Sequence, residues 1–179
     1  MAWLGRVLKN RRAGQSKLAW NAQNLAGPDT LKLTSPDFEF EDTIPMIHVS
    51  HRAGGEDVSP ELNWPPVPDG TAQLLLVVED PDAPMSMPNV HALALLDPSV
   101  LRLPPGALDA SKPGDGVRVL KGYYGPAPVK GHGPHRYVFQ LFALGTPVSV
   151  ADSARPREVI AAAGGVLARG RLDGIYERI

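Results

Sequence analysis

The sequence has no cysteine, which excludes disulfides, thiolate metal centres and cysteine nucleophiles. It also has no apolar run that approaches the length of a membrane-spanning helix, which is roughly 20 residues. Residues 1–20 lack the continuous apolar core and the A-x-A-like cleavage site of a signal peptide, so we expect a cytoplasmic protein. The formal net charge of −1 is not the basic excess of a nucleic-acid binder, and no nucleic-acid partner is expected.

Proline and glycine are abundant instead, with 19 and 18 copies in 179 residues. Proline is at about twice its usual ~5% share. Both residues are scattered between apolar runs, which predicts many tight turns and not a disordered tract. The chain is long enough for one domain with its own core, and it shows no internal repeat.

Short apolar runs predict strands. The run "QLLLVVED" (73–80) is typical of a strand buried on both faces, and "HALALLD" (91–97) is a second such segment. The aromatic and β-branched run "HRYVFQLFAL" (135–144) predicts a central strand. We expect "LKLTSPDFEF" (31–40) to form an edge strand in spite of its proline. These runs predict a mostly β domain.

Two segments have helical character. Residues 2–12 place Trp3, Leu4, Val7 and Leu8 on one face. Residues 155–170 have Pro156 near the start and Gly170 as a stop signal, although the inner Gly-Gly pair weakens this helix. We therefore expect helices at the periphery of the β domain.

Acids and histidines cluster near the predicted strand ends. Asp80 and Asp82, in "DPDAP", end one strand, and His91 opens the next segment. His135 and Tyr137 are two residues apart on a strand and share a face. A carboxylate that accepts one ring N–H orients an imidazole, so the aspartates are expected to hold histidines. Taken singly, each feature also fits an ordinary turn, surface or core residue.

In combination these segments resemble the phosphatidylethanolamine-binding protein family, in particular its bacterial Raf-kinase-inhibitor-like branch. The resemblance runs from about Leu31 to the C-terminus. It rests on the following blocks: "GEDVSPELNW" (55–64), "DPDAP" (80–84), His91, "YYGPAPVKGHGPHRYVFQLFAL" (123–144) and "GVLARGRLDGIYER" (165–178).

The resemblance implies an antiparallel β-sandwich over residues 31–179, with a few peripheral helices that include one near the C-terminus. Residues 1–30 would be a partly helical N-terminal extension. It also implies a small anion pocket at Asp80, Asp82, Pro84, His91, Gly125, His135 and Tyr137. No cofactor is expected.

The chain departs from the family pattern around the pocket. The family usually has aromatic residues near the first pocket histidine, whereas this chain has Asn89, Val90 and Ala92. Asp57 replaces the usual asparagine, and Gly165 stands where bacterial members often have a histidine. We expect a pocket rim of different shape.

These residues are compatible with four functions. The first is binding of a phosphate- or carboxylate-bearing ligand, such as a lipid headgroup, with a regulatory role. The alternative is an inhibitor module that contacts a protein kinase or protease. A zinc or iron site at His91, His135 and an aspartate lacks support from local ligand spacing. A hydrolase with Ser59 or Ser86 lacks the G-x-S-x-G elbow, so we expect a non-enzymatic binding protein without a metal.

The N-terminal stretch is basic. It has no acid before Asp29 and five basic residues, which are Arg6, Lys9, Arg11, Arg12 and Lys17. We expect this stretch to pack on its own domain or across a homodimer. The alternative is transient contact of residues 1–20 with an anionic membrane surface.

Two finer predictions concern the pocket. We expect a cis bond at Ala83–Pro84 or Met87–Pro88, because only prolyl bonds become cis at low cost. A carboxylate should raise the pKa of a neighbouring histidine above about 6.5. Anion binding should therefore tighten between about pH 8 and about pH 6.

Overall fold

The computed structural model of the protein describes residues 2–151 and 153–179. Seven strands form two antiparallel sheets, a two-stranded sheet β1–β4 and a five-stranded sheet in the order β5–β3–β2–β6–β7. The strands are β1 (Leu62–Asn63), β2 (Gln73–Asp80), β3 (Asn89–Leu96), β4 (Arg102–Leu103), β5 (Val117–Lys121), β6 (His135–Leu144) and β7 (Val166–Tyr176).

The helices are short. α1 spans Ala2–Leu8 and α2 spans Pro156–Ala162, near the C-terminus. Five 3-10 turns lie at residues 15–17, 19–21, 23–25, 46–48 and 51–53. The predicted antiparallel, mostly β fold with few helices is thus confirmed. Within the described part of the chain, no helix has both the length and the apolar character to cross a membrane.

The five-stranded sheet is buried on both faces. Leu76 and Val78 of β2 face one core cluster, which also contains Leu62 of β1 and Leu103 of β4. Val77 faces a second cluster, which contains Val159 and Ile160 of α2. This two-sided burial explains the continuous apolar run of β2, as the sequence predicted.

Two predicted elements differ in the structure. Residues 31–40 form no strand, and only Thr34 makes an isolated bridge, to Asn63. The turn at Ser35, whose Oγ accepts a hydrogen bond from the Asp37 N–H at 3.1 Å, ends the extended run. The prediction of a helix through residue 170 is wrong, because α2 ends at Ala162 and β7 begins at Val166.

The chain leaves the helix at Ala163, which has an extended ψ of 156°, and the Gly-Gly pair follows. Gly165 has a φ of +66°, which a helix does not contain. The side chain of Asn24 donates to the carbonyls of Ile160 and Ala163, at 2.7 and 2.9 Å. These bonds satisfy two carbonyls at the end of α2 that have no partner within the helix.

The predicted cis prolyl bond is also wrong, because every peptide bond described in residues 2–151 and 153–179 is trans. The chain reverses after β2 by another device. Asp80 Oδ1 accepts hydrogen bonds from the N–H groups of Asp82 and Ala83, at 2.7 and 3.0 Å. This carboxylate-capped turn needs no cis bond at Pro84.

Candidate anion-binding site

Strand pairing brings the predicted polar residues together where the end of β2 meets the starts of β3 and β6. Asp80 at the end of β2 pairs with Asn89 at the start of β3, and Glu79 pairs with Val138 of β6. The end of β2 therefore meets the starts of β3 and β6. The side chains gathered there are Asp80, His91, His135 and Tyr137.

Asp80 holds His135. The Asp80 Oδ2 lies 2.7 Å from the His135 Nδ1, and both residues are almost fully buried. Since Asp80 Oδ1 accepts the two turn N–H groups described above, one carboxylate fixes both the imidazole and the loop after β2. The predicted role of the aspartates is thus confirmed for Asp80 and is wrong for Asp82, which contacts Arg12 and Arg136 instead of a histidine.

His132 joins this pair, and the sequence reasoning missed it. Its Nδ1 lies 2.6 Å from His135 Nε2, and its Nε2 lies 2.8 Å from the carbonyl oxygen of Leu8. His132 is fully buried. The block "GHGPHRY" contains both histidines three residues apart, and that second histidine was the available signal.

The three hydrogen bonds determine how many protons the Asp80–His135–His132 cluster must hold. The chain of contacts runs from the Asp80 carboxylate through His135 and His132 to the Leu8 carbonyl. The groups at its two ends, a carboxylate and a carbonyl, are both hydrogen-bond acceptors. Each of the three links needs one proton, whereas two neutral imidazoles supply only two. The cluster is therefore satisfied when Asp80, His135 and His132 together hold three protons and have no net charge.

His91 is held in a neutral state. Its Nδ1 contacts the carbonyl of Tyr124 at 2.5 Å and its Nε2 contacts the Asn89 side-chain amide at 3.0 Å. Burial lowers the pKa of His91 and outweighs the opposite effects of the Tyr124 carbonyl and of Asp80. The expectation that a carboxylate raises this pKa is wrong for His91, because desolvation is the larger effect.

Tyr137 has a buried hydroxyl without a hydrogen bond among the described residues. The backbone N–H of Ala127 approaches the Tyr137 Oη, but not with the geometry of a hydrogen bond. Burial, and then the charge of Asp80, raise the pKa of Tyr137 above its ordinary value. The ring also meets His91 edge-on, with centroids 5.0 Å apart. Tyr137 is thus a neutral donor with nothing to donate to.

The remaining predicted residues have structural partners. Asp82 Oδ1 forms an ion pair with Arg12 at 2.6 Å, and its Oδ2 accepts the Arg136 N–H. Gly125 donates its N–H to Asp57 Oδ1 at 2.7 Å, and this hydrogen bond positions the glycine. A Cβ at Gly125 would lie 2.3 Å from a backbone oxygen. Pro84 lies half-buried in the loop after β2.

Residues 2–17, here called the N-terminal strap, dock on both loops that flank this cluster. Ala13 and Gly14 donate backbone hydrogen bonds to Ala83 and Pro81, each at 2.9 Å. Lys17 Nζ donates to the Ser86 carbonyl, at 2.8 Å. The strap therefore packs on its own domain, which is one of the predicted alternatives. A homodimer and a membrane contact stay predictions.

Helix α1 ends at Leu8, short of the predicted residues 2–12, and part of its predicted apolar face is exposed. Trp3 and Val7 are 74% and 63% exposed, Leu8 is half-buried, and the side chain of Leu4 lies outside the description. Gly5 faces the domain instead, and a Cβ there would lie 2.3 Å from the Lys130 carbonyl oxygen. The backbone of α1 thus packs directly on the loop that contains His132.

A cavity of about 360 Å³ adjoins the cluster. Tyr124 and Ala127 line this cavity, and they also contact the cluster, because Tyr124 stacks on His91 and Ala127 approaches Tyr137. The full lining is Arg52, Tyr124, Ala127, Pro128, Val129, Lys130 and Arg178. It contains cations and apolar groups but no acid, which suits an anion.

A model of the phosphatidylethanolamine-binding protein family matches residues 34–177. The chain belongs to this family. It is 35% identical to a fungal protein named phomoidride biosynthesis cluster protein B over 156 residues, which is 79% of this chain and 74% of that protein. It is 32% identical to a UPF0098 protein of Aquifex aeolicus, over 86% and 92% of the two chains.

Solved structures agree with this membership. Escherichia coli YbcL, titled a new member of the mammalian PEBP family, is 29% identical, with a TM-score of 0.72 over 82% of this chain and 98% of that one. A phosphatidylethanolamine-binding protein homologue from Chlamydia trachomatis is 27% identical, with a TM-score of 0.70 over 84% and 99%.

The residues that depart from the family pattern around His91 lie inside the fold, and the predicted difference in rim shape stays a prediction. Val90 and Ala92 are buried, and Asn89 donates its amide to His91. The aromatic residue that lines the cavity here is the half-buried Tyr124, which stacks on the His91 ring.

Proposed function

We propose that this protein binds a small phosphate- or carboxylate-bearing ligand in the cavity at Tyr124 and Ala127, without transforming it. The observation that supports this most directly is the unpaired Tyr137 hydroxyl beside Ala127. A buried donor without a partner costs free energy, and an anion accepting from it removes that cost. The family membership agrees with a ligand-binding role.

The charges behind the cavity also support anion binding. Asp80 accepts hydrogen bonds from two turn N–H groups and faces the His135 ring, and Asp82 pairs with Arg12. The oxygens of both carboxylates therefore already have partners within the protein. His91 is neutral, and both ring nitrogens of His135 already have partners. In this proposal the histidines position the pocket and do not supply its positive charge.

One of the two candidate nucleophiles, Ser59, makes a structural contact. Ser59 is buried, and its Oγ accepts the Leu108 N–H at 3.3 Å. Within the described residues, no group of three or more histidine and carboxylate side chains is arranged to hold a metal. Inhibition of a protein kinase or protease stays a prediction from the family resemblance.

Titration with sulfate and with inorganic phosphate, followed by amide NMR, tests the proposal. We expect saturable shift changes at Tyr124, Ala127 and Lys130. Tyr137→Phe should weaken binding about tenfold, because a hydrogen bond to a charged group is worth ~1.5–3 kcal/mol. Tyr123→Phe is the matched control, since the Tyr123 hydroxyl donates to the His48 carbonyl. Equal affinity in wild type and Tyr137→Phe would overturn the proposal.

A further inference from the structure

Three cations around the cavity have no acidic partner. Arg52, Lys130 and Arg178 line it, and none lies within ion-pair distance of a described carboxylate. Most other arginines in the described structure are paired with acids, namely Arg12, Arg102, Arg136, Arg155, Arg157, Arg169 and Arg171. Three cations without an acidic partner thus surround one cavity, and its lining contains no acid.

The arrangement of these residues links them to the site. Arg52 lies over the Tyr124 ring, 6.0 Å from its centroid, and Tyr124 stacks on His91. The Gly131 N–H donates to the Arg178 carbonyl at 3.1 Å, which fixes the C-terminal segment beside the Lys130 loop. Three segments far apart in sequence therefore place positive charge at one opening.

We propose that these three cations make the pocket selective for a dianionic phosphomonoester over a zwitterionic phosphoester such as phosphoethanolamine. This inference rests on the proposed function. Both ligands offer the same phosphate group to Tyr137, but the zwitterion also carries an ammonium group. Because the cavity lining has three cations and no carboxylate, that ammonium finds repulsion and no partner. Pro128 and Val129 offer an apolar wall to an uncharged organic group.

The test compares three soluble probes of similar size, namely ethyl phosphate, O-phosphoethanolamine and phosphocholine. All are titrated at about pH 8, where the phosphomonoester is dianionic. We expect ethyl phosphate to bind about fivefold more tightly than O-phosphoethanolamine, the ratio for one exposed charge pair. The triple variant Arg52→Gln, Lys130→Gln, Arg178→Gln should bring this ratio close to one. Lys112→Gln, an exposed lysine outside the cavity, should leave it unchanged.

The outcomes separate the two proposals. Equal or tighter binding of O-phosphoethanolamine by the wild type overturns the selectivity and leaves the anion site intact. Failure of all three probes to bind overturns both. A preference that persists in the triple variant overturns the role of the cations.

Phosphatidylcholine vesicles that contain either phosphatidate or phosphatidylethanolamine identify the source of the phosphomonoester. Retention by phosphatidate vesicles that is lost in the triple variant identifies a lipid headgroup. Binding of ethyl phosphate without vesicle retention identifies a soluble ligand. Both results support the proposed selectivity. Equal retention of the wild type by the two vesicle types, lost in the triple variant, contradicts the proposed selectivity.

Discussion

His135 and His132 share a hydrogen bond of 2.6 Å between Nε2 and Nδ1, although each ring already faces an acceptor on its other side. Those acceptors are the Asp80 carboxylate and the Leu8 carbonyl. The arrangement connects the candidate pocket to helix α1, because Leu8 is the last residue of that helix. It also requires one proton more than two neutral imidazoles contain.

Asp80→Asn should remove that additional proton. An asparagine amide can donate to His135 Nδ1, so two neutral imidazoles then complete all three links. In ¹⁵N NMR spectra of the imidazole nitrogens at neutral pH, we expect three protonated nitrogens in the wild-type pair and two in the variant. The same count in both proteins would show that the acceptor-to-acceptor arrangement is wrong.

Asp80→Ala should destabilise the protein more than Asp80→Asn does. It leaves His135 and two turn N–H groups without their acceptor, so it should cost about 3 kcal/mol of unfolding free energy. Asp80→Asn should cost less, about 1 kcal/mol, because the hydrogen bonds are kept. Urea denaturation of the two variants measures this difference, and equal losses would contradict the explanation.

His91 should make the protein less stable in mild acid. Burial lowers the pKa of His91 in the folded state below its ordinary value of 6.5, whereas the unfolded chain keeps the ordinary value. As the pH falls through about 6.5, the unfolded state takes up a proton that the folded ring does not. The free energy of unfolding therefore falls with pH in this window.

The variant His91→Gln lacks this titration. The stability advantage of the wild type over His91→Gln should shrink from about pH 7.5 to about pH 5.5, as measured by urea denaturation. A constant difference between the two proteins would contradict the lowered pKa. Sulfate affinity, in turn, should change little between about pH 8 and about pH 6, because the unpaired cations around the cavity are arginines and a lysine.

The sequence predicted the sheet well because β2, β3 and β6 are interior strands whose apolar runs reflect burial on both faces. It also predicted the meeting of Asp80 and His135, since both flank such strands. It did not indicate Arg52 and Arg178 as pocket residues, because they come from distant segments and join only through tertiary packing. The end of α2 was misplaced because "GVLARG" fits either a helix or a strand until the partner β6 is known.

Tyr137→Phe should leave the ligand-free protein as stable as the wild type, or slightly more stable. The variant removes a buried hydroxyl that makes no hydrogen bond within the described structure. Tyr123→Phe, by contrast, removes a 3.0 Å hydrogen bond to the His48 carbonyl and should cost about 1 kcal/mol. Thermal unfolding in phosphate-free buffer compares the two. A larger loss for Tyr137→Phe would show that the hydroxyl already has a partner.

Gly5→Ala should undock helix α1. Alanine favours an isolated helix over glycine by about 1 kcal/mol, so the substitution itself strengthens α1. Its Cβ, however, would lie 2.3 Å from the Lys130 carbonyl oxygen, and backbone must shift. We expect faster proteolysis within residues 2–17 and solvent exchange at His132. Val7→Ala, at an exposed position on the same helix, is the control and should change neither.

Arg157→Gln should destabilise the fold because it removes the cation that pairs with Glu79. Glu79 lies on the face of the five-stranded sheet that is turned away from β1 and β4. The Glu79 side chain is fully buried, and its Oε1 lies 2.7 Å from an Arg157 guanidinium nitrogen. Its Oε2 accepts hydrogen bonds from the Ala19 N–H and the Gln140 amide. Losing the cation leaves a buried negative charge, which should cost about 3 kcal/mol by urea denaturation.

Two further variants separate the charge from the packing of Arg157. Arg155→Gln breaks a largely exposed pair with Glu158 at the start of α2, and should destabilise the fold much less than Arg157→Gln does. Glu79→Gln combined with Arg157→Gln removes both charges and should recover part of the loss, because a neutral amide costs less to bury than an unpaired carboxylate. If Arg157→Gln costs no more than Arg155→Gln, the buried carboxylate is neutralised by another group and the electrostatic explanation fails.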